Sequence, residues 1–168
     1  MTAIRPPRAD ELPRLRDIER AAGAPFVEMG MPDIAAHEPP SVEVLDAYRT
    51  AGRAWVAEVD DEVAAYVLVD LVDGVAHVEQ VSVHPGHARQ GIGRLLLDHI
   101  AGLARTRGDA RVTLTTFREV PWNAPYYERC GYRPLPDDER GPELVALMQA
   151  EADHGLDPTT RVAMALDL

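Results

Sequence analysis

The chain has 168 residues, the size of one ordinary domain, and 46% of them are hydrophobic, which is enough for a packed core. A net charge of −11 excludes a typical nucleic-acid binder, because such proteins neutralise phosphates with Lys and Arg; an acidic surface attracts a cationic partner such as an amine, or only keeps the protein soluble. The lack of a long apolar run, a charged N-terminus without an apolar segment, and a single cysteine, Cys130, predict a cytoplasmic protein with no membrane span and no secretory signal.

The first half of the chain predicts a short strand, two helices and three strands. The strand covers residues 1–5, and helical spacing of apolar residues predicts a helix over 10–22 that stops at Gly23. Residues 24–40 show no period and are interpreted as a loop, after which Ser41 caps a helix through Tyr48. Strands follow at 53–59, 62–71 and 75–84, the last two joined by a hairpin turn at Asp73-Gly74.

The second half predicts a long helix over 91–107 that buries a stripe of Ile92, Leu96, Ile100 and Leu103. Further elements are expected as a strand at 110–116, a short helix at 123–130, a helix at 143–154 and a last strand at 161–167. This order predicts a mixed α/β sheet of about six or seven strands, in one domain over residues 1–168.

A polar loop between the third of these strands and the long helix predicts a phosphate-binding turn. The strand stops at Pro85, and Gly91 and Gly93 open the helix. Free N–H groups and the helix dipole attract phosphate there, glycines admit a pyrophosphate close to the backbone, and Arg89 and Arg94 add positive charge. The two glycines by themselves also fit an ordinary helix entry. The segment matches neither the dinucleotide-binding fingerprint nor the nucleoside-triphosphate-binding loop.

Two blocks of sequence resemble the GCN5-related N-acetyltransferase (GNAT) family. One is Ala88-Arg89-Gln90-Gly91-Ile92-Gly93, and the other, about 30 residues on, runs from Asn123 through Tyr127 to Gly131-Tyr132. Ala88 departs from the family, which often has Arg or Gln there, and Asn123 stands where many relatives have Ala. The element order resembles the family over residues 4–167, but only 75–132 match with specificity.

The resemblance implies the GNAT fold: a mostly antiparallel sheet with one splayed parallel pair, here 75–84 and 110–116, and helices on both faces. It also implies acetyl-coenzyme A (acetyl-CoA) as cosubstrate, no metal, and transfer of the acetyl group to a primary amine by direct attack in a ternary complex. A small-molecule acceptor is expected. Two alternatives stay open: a catalytically silent acyl-CoA-binding module, and an acetyltransferase acting on protein N-termini or lysines. In the family the last helix and strand commonly form a homodimer face, and residues 142–167 correspond to them.

The resemblance also assigns roles to particular residues. Tyr127 would give a proton to the leaving thiolate, and either His77 or Glu79, two residues apart on one strand, would act as base. The backbone of Val81 and Val83 would pair with the pantetheine arm, and the N–H of Val81 would polarise the thioester carbonyl. The full set implied for coenzyme A is Val81, Ser82, Val83, Ala88, Arg89, Gln90, Gly91, Ile92, Gly93, Arg94, Asn123 and Tyr127.

Acceptor specificity in such folds comes from the loop between the first helices and from an opposite rim. The acceptor residues expected here are Phe26, Glu28, Met29, Met31, Glu79 and Trp122. The acids among them suit an amine, whereas the alternative reading of the loop is a plain surface segment held by a few apolar side chains. No partner other than the small-molecule amine and a homodimer copy is expected, neither nucleic acid nor membrane.

Overall fold

Seven strands form one mixed sheet in the computed structural model, which describes all residues, Met1–Leu168. The strands are β1 (Thr2–Arg5), β2 (Ala54–Val59), β3 (Glu62–Val72), β4 (Val75–Val83), β5 (Arg111–Phe117), β6 (Arg133–Pro134) and β7 (Arg161–Asp167). Their order across the sheet is β1-β2-β3-β4-β5-β7-β6. β4 and β5 form a parallel pair, and its register is limited to His77↔Thr113 and Val78↔Leu114, although both strands continue. The predicted fold class is confirmed.

Six helices accompany the sheet. They are α1 (Leu12–Gly23), α2 (Pro32–Ala35), α3 (Val42–Thr50), α4 (Ile92–Arg107), α5 (Ala124–Arg129) and α6 (Pro142–Asp153). Local chemistry explains their ends: the Ser41 hydroxyl accepts from the N–H of Val44 at 3.2 Å, and Gly108, with φ of 86°, follows α4. None of these helices combines the length and apolar character that crossing a bilayer requires.

The chain divides into two compact units, Met1–Val69 with Gln80–His99, and Asp70–Glu79 with Ile100–Leu168. β3, β4 and α4 each continue from one unit into the other, and the expectation of a single domain stays a prediction. The core of the first unit lies where α1 and α3 cover β2 and β3. Its buried members are Leu12, Leu15, Ile18, Leu45, Ala54, Val56, Val63, Tyr66 and Leu68.

In the second unit α6 covers one face of the sheet. Its Leu144 packs in a cluster with Val72 at the end of β3 and with Ala163 and Ala165 of β7. Thr115 and Thr113 of β5 lie opposite Ala163 and Ala165, so they belong to the same face. This face carries the polar side chains described below.

Asp73, in the hairpin turn between β3 and β4, also caps α6. Its two carboxylate oxygens accept from the N–H groups of Glu143 at 2.8 Å and Leu144 at 3.0 Å, and Glu143 accepts from the N–H of Asp73 at 2.9 Å. A Cβ on Gly141 would collide with this carboxylate.

We expect Asp73→Ala to lower the free energy of unfolding by about 1–2 kcal/mol, because two helix-start N–H groups lose their acceptor. Urea denaturation measures this. Asp73 has φ of 53°, so Asp73→Gly serves as the control: it removes the cap but keeps the left-handed backbone accessible. Full stability in Asp73→Gly would contradict the capping role.

Three expectations about the elements were wrong. The supposed loop 24–40 contains a 3₁₀ turn, Ala24–Val27, and α2, each started by a proline in its first turn and each too short to show a period. Leu103 is 42% exposed, because Ala101 and Ala104 take the inner positions of α4 beside Ile100. The two-residue β6 was missed, since Arg133-Pro134 carries no strand signal.

Candidate active site

The turn before α4 has the backbone conformation of an anion-binding loop. A 3₁₀ turn, Pro85–His87, follows β4, and the His84 ring accepts from the N–H of Gly86 at 3.0 Å. Arg89 and Gly91 then both adopt left-handed conformations, with φ of 62° and 75°. Such alternation turns successive N–H groups towards one side of the chain.

The residues at the start of α4 fit a pyrophosphate. The first backbone bond of the helix runs from the N–H of Leu95 to the carbonyl of Gly91 at 3.1 Å, so the N–H groups of residues 92–94 precede the helical ladder. A Cβ placed on Gly91 would meet nothing within 4 Å, so the space beside this backbone is open. The exposed Arg89 and Arg94 add positive charge at the same helix end.

β4 contains one residue more than β3 along their pairing. The two-residue turn at Asp73-Gly74, followed by even pairing, would place Ala64 opposite Val83. Instead the N–H of His84 donates to the carbonyl of Ala64 at 2.9 Å. The extra residue is a β-bulge in β4.

Near the end of β4, Gln80 donates to the Ser82 hydroxyl at 2.7 Å. Opposite this strand, the hydroxyl of Tyr66 on β3 donates to Glu19 of α1 at 3.0 Å.

His77 is buried, with 1% of its surface exposed, and its Nδ1 lies 2.9 Å from the hydroxyl of Thr113 on β5. Burial lowers the pKa of His77 to about 4, against the opposing charge of Asp70. The ring is therefore neutral at neutral pH and already bonded within the sheet. This environment favours Glu79 over His77 for the role of base.

Glu79 remains solvent accessible, yet protein atoms and charges crowd its carboxyl group. Loss of solvation, followed by the negative charges of Asp70 and Glu151 and the hydrogen bond with Asp70, raises the pKa of Glu79 to about 7; Arg161 opposes the shift. A carboxylate with this pKa is matched to proton transfer at neutral pH.

A hydrogen-bonded group fixes the charges beside Glu79. The hydroxyl of Thr115 donates to Glu151 at 2.7 Å, and the Arg161 guanidinium donates to Thr115 at 3.2 Å and to Glu151 at 3.4 Å. Arg161 also lies over the ring of Phe117, with its Cζ 4.5 Å from the ring centroid. These contacts between β5, α6 and β7 therefore fix the positions of one acidic residue, Glu151, and one positively charged residue, Arg161, near Glu79.

Tyr127 lies in α5 among other aromatic rings. Its ring centroid is 5.6 Å from that of Tyr126 and 6.0 Å from that of Tyr132. Burial, with smaller effects of Tyr126 and Cys130, raises the pKa of Tyr127 above its usual value, and Arg161 opposes this. The hydroxyl therefore keeps its proton at neutral pH, as a proton donor must.

The other expected site residues take these positions. Asn123 precedes α5 without capping it, and its side chain donates to the carbonyl of Trp122 at 3.1 Å. Trp122 is 38% exposed.

In the first unit the carbonyl of Phe26 accepts from the N–H groups of Met29 and Met31, which ties these residues into one turn, with Glu28 exposed between them. Along β4, Ser82 is buried and Val81 and Val83 are half-buried; Ala88 and Gln90 of the turn are exposed, whereas Ile92 and Gly93 are buried.

Sequence reasoning missed Asp70, Glu151 and Arg161. A signal for Asp70 was present, because the predicted turn at Asp73-Gly74 already places Asp70 opposite His77. Glu151 and Arg161 lie far along the chain, and no local pattern connects them to Glu79.

Residues 15–132 match the model of the Acetyltransferase (GNAT) family. A curated relative, "Probable N-acetyltransferase 14" from Danio rerio, is 30% identical over 93 residues, which are 54% of this chain and 33% of that protein. The match therefore spans about a third of the length of that relative.

Solved structures share the fold. The ribosomal-protein-S18-alanine N-acetyltransferase from Escherichia coli superposes with a TM-score of 0.66 at 21% identity, covering 99% of this chain and 94% of that one. N-acetylglutamate synthase from Neisseria gonorrhoeae, complexed with coenzyme A and N-acetyl-glutamate, gives 0.75 at 18% identity, covering 100% and 35%.

The chain therefore has the fold of these solved structures, with one parallel pair, β4 and β5, in its mixed sheet. The family match covers more than half of the residues. The chain belongs to the Acetyltransferase (GNAT) family.

Proposed function

We propose that the protein moves the acetyl group of acetyl-CoA to the primary amine of a small molecule, by direct attack in a ternary complex. The observation that carries this proposal is on β4: Glu79, whose pKa lies at about 7, stands on the strand that leads into the anion-binding turn before α4. A base matched to neutral pH and an anchor for a pyrophosphate are thus contributed by one continuous segment.

The donor side of the proposal rests on the turn and the end of β4. Backbone N–H groups at residues 92–94 would hold the pyrophosphate, with Arg89 and Arg94 adding charge. When bound, acetyl-CoA supplies an activated acetyl thioester. The N–H of Val81 would donate to the oxygen on which charge develops during attack.

The acceptor side rests on Glu79 and Tyr127. Glu79 would take a proton from the substrate ammonium, leaving the neutral amine that attacks. Tyr127, protonated at neutral pH, would give its proton to the departing thiolate. The expected acceptor contacts are those of Phe26, Glu28, Met29, Met31 and Trp122.

The cellular location and the oligomeric state of the protein belong to the same proposal. A cytoplasmic location is supported by the single, buried Cys130, which needs no oxidising compartment. A homodimer through residues 142–167 remains a proposal by resemblance to the family.

We predict that a negative charge at Gly91 weakens the binding of coenzyme A more than side-chain bulk does. Asn and Asp both tolerate the left-handed backbone, and the space beside Gly91 is open. We expect Gly91→Asp to weaken coenzyme A binding at least about tenfold more than its isosteric control Gly91→Asn, because only Asp repels phosphate.

Isothermal titration calorimetry with coenzyme A, at two salt concentrations, measures this difference. The difference in coenzyme A affinity between the two variants should become smaller at higher salt, because salt screens the repulsion between Asp and phosphate. Affinities of both variants that equal the wild-type value would contradict a phosphate site at this turn.

Acceptor class is tested by free-thiol release from acetyl-CoA in the presence of small amines, lysine-containing peptides and peptides with free N-termini. Turnover with small amines and none with peptides supports the proposal. Faster turnover with a peptide would show that the acceptor is a protein or peptide rather than a small molecule. Binding of coenzyme A without turnover on any acceptor of the panel would favour a catalytically silent module.

A further inference from the structure

One carboxyl group that the proposed mechanism does not use lies between α1 and the sheet. Glu19 follows Leu12 and Leu15 at helical spacing, so it occupies the stripe of α1 that faces the core. An acid is unusual at such a position, because a carboxylate loses solvation there. Its Oε2 accepts a hydrogen bond of 3.0 Å from the hydroxyl of Tyr66, which is fully buried on β3. The core therefore holds this carboxyl in a fixed place.

Glu19 has no positively charged partner, although two arginines flank it on α1. Arg16 donates from Nε to the carbonyl of Pro40 at 3.0 Å and from Nη2 to Glu38 at 3.4 Å. Arg20 donates to the same carboxylate of Glu38 at 3.3 Å. Both arginines are thus turned towards Glu38, and Glu19 itself forms no ion pair.

The carboxyl of Glu19 retains the capacity to bind a cation. Glu19 is half-buried, and Tyr66 engages only one of its two oxygens. Burial raises the pKa of Glu19, against the opposing effects of the Tyr66 hydrogen bond and the charge of Arg16. A cation at the second oxygen would supply the stabilisation that the chain itself does not provide. The net charge of −11 favours the approach of such a ligand.

Glu19 belongs to the part of the first unit where the acceptor is expected. α1 continues directly into the turn Ala24–Val27, from which the expected acceptor residues begin. On the other side, Tyr66 lies two residues after Ala64, whose carbonyl accepts from the N–H of His84 at 2.9 Å. Tyr66 therefore stands beside the end of β4, where the thioester is proposed to bind.

The group that Glu19 would bind is different from the amine that is acetylated. A carboxylate beside an ammonium favours the charged form of that ammonium. A charged ammonium has no free electron pair with which to attack a thioester. The nucleophile must therefore be another nitrogen of the same acceptor.

Building on the proposed function, we propose that Glu19 determines acceptor specificity by binding a second ammonium group, and that the acceptor is a small diamine. One oxygen of Glu19 accepts from Tyr66, and the other accepts from the distal ammonium of the diamine. The nitrogen at the opposite end gives up its proton and attacks the thioester. The diamine is thus held by the end that does not react.

Linear alkane diamines, each compared with the alkylamine of the same chain length, test the proposal in the wild type. Free-thiol release from acetyl-CoA gives kcat/KM for each acceptor. The best diamine should exceed its alkylamine by about 10-fold to 100-fold, mostly through KM, which is the effect expected of one hydrogen-bonded charge. Equal kcat/KM within every such pair of acceptors would overturn the proposal without any variant.

Glu19→Gln keeps the shape of the side chain and an oxygen that can accept from Tyr66, but it loses the charge. The ratio of diamine to alkylamine kcat/KM should fall to within about twofold of unity. Asp17→Asn is the matched control, because it removes a carboxylate from the exposed side of the same helix, and it should keep the wild-type ratio. A ratio that Glu19→Gln leaves unchanged, even with slower turnover on both acceptors, would overturn the proposal.

Calorimetry separates this binding site from the proposed function, since it requires no turnover. The protein saturated with coenzyme A, which carries no acetyl group, is titrated with the same diamines. Diamine binding that Glu19→Gln weakens at least about tenfold, in a protein that acetylates no amine, would leave the ammonium site intact and refute the proposed function. Turnover of alkylamines as fast as that of diamines would do the reverse.

Discussion

Glu79→Gln should lower kcat/KM for acetyl transfer by about 10²–10⁴-fold at pH 7.5, the usual effect of removing a positioned general base. The amide keeps the shape of the side chain but cannot take a proton from the ammonium. Steady-state release of free thiol from acetyl-CoA measures the loss. The affinity for coenzyme A itself should stay within about twofold, because the turn before α4 is untouched.

The same variant should be more stable than the wild type in alkaline solution. The pKa of Glu79 is raised to about 7 from an ordinary 4.5, so the folded protein holds this proton more tightly than the unfolded chain does. The wild type therefore loses stability as pH rises from about 4.5 through about 7, and Glu79→Gln avoids that loss. The difference in melting temperature should grow from pH 5 to pH 8.

Glu43→Gln is a matched control, since Glu43 is exposed at the start of α3 and belongs to no part of the site. It should keep wild-type turnover and show no such growth in melting temperature with pH. A Glu79→Gln enzyme that turns over normally would remove Glu79 from the mechanism.

Tyr127→Phe is expected to lower kcat by about 10²–10⁴-fold, since the departing thiolate loses its proton donor. The ring is retained, so its packing against Tyr126 and Tyr132 and the stability of α5 should change little. Single-turnover kinetics with saturating acetyl-CoA and amine isolates the chemical step from product release.

Tyr126→Phe provides the comparison within the same helix. Tyr126 is a neighbouring hydroxyl of similar burial, and Arg129 lies over its ring with Cζ 5.8 Å from the centroid. Loss of the Tyr126 hydroxyl should leave kcat within about threefold of the wild-type value. Equal losses in the two variants would assign the effect to the packing of α5 rather than to proton donation.

The order and type of the long elements could be predicted because their signals are local. Ser41 marks the start of α3, and the positive φ angles of Asp73 and Gly74 realise the turn that their sequence indicates. Residues 24–40 could not be predicted in the same way, because four-residue helices begun by prolines are shorter than the period that reveals a helix.

The turn before α4 could be predicted as a structural element, because glycine and arginine positions along one short segment indicate it. The choice between His77 and Glu79 could not be predicted from sequence. It depends on the burial of His77 against Thr113 and on three residues from distant parts of the chain, Asp70, Glu151 and Arg161. Pairing across the sheet brings these side chains to one face, and spacing in the sequence does not reveal it.

Free-thiol release from acetyl-CoA, followed with a panel of amines for the wild type and Glu79→Gln side by side, tests the central claim most directly. We predict turnover with at least one small primary amine, rising with pH through about 7, and a loss of about 10²–10⁴-fold in the variant. Coenzyme A binding without turnover on any amine, or turnover that Glu79→Gln leaves unchanged, would contradict it.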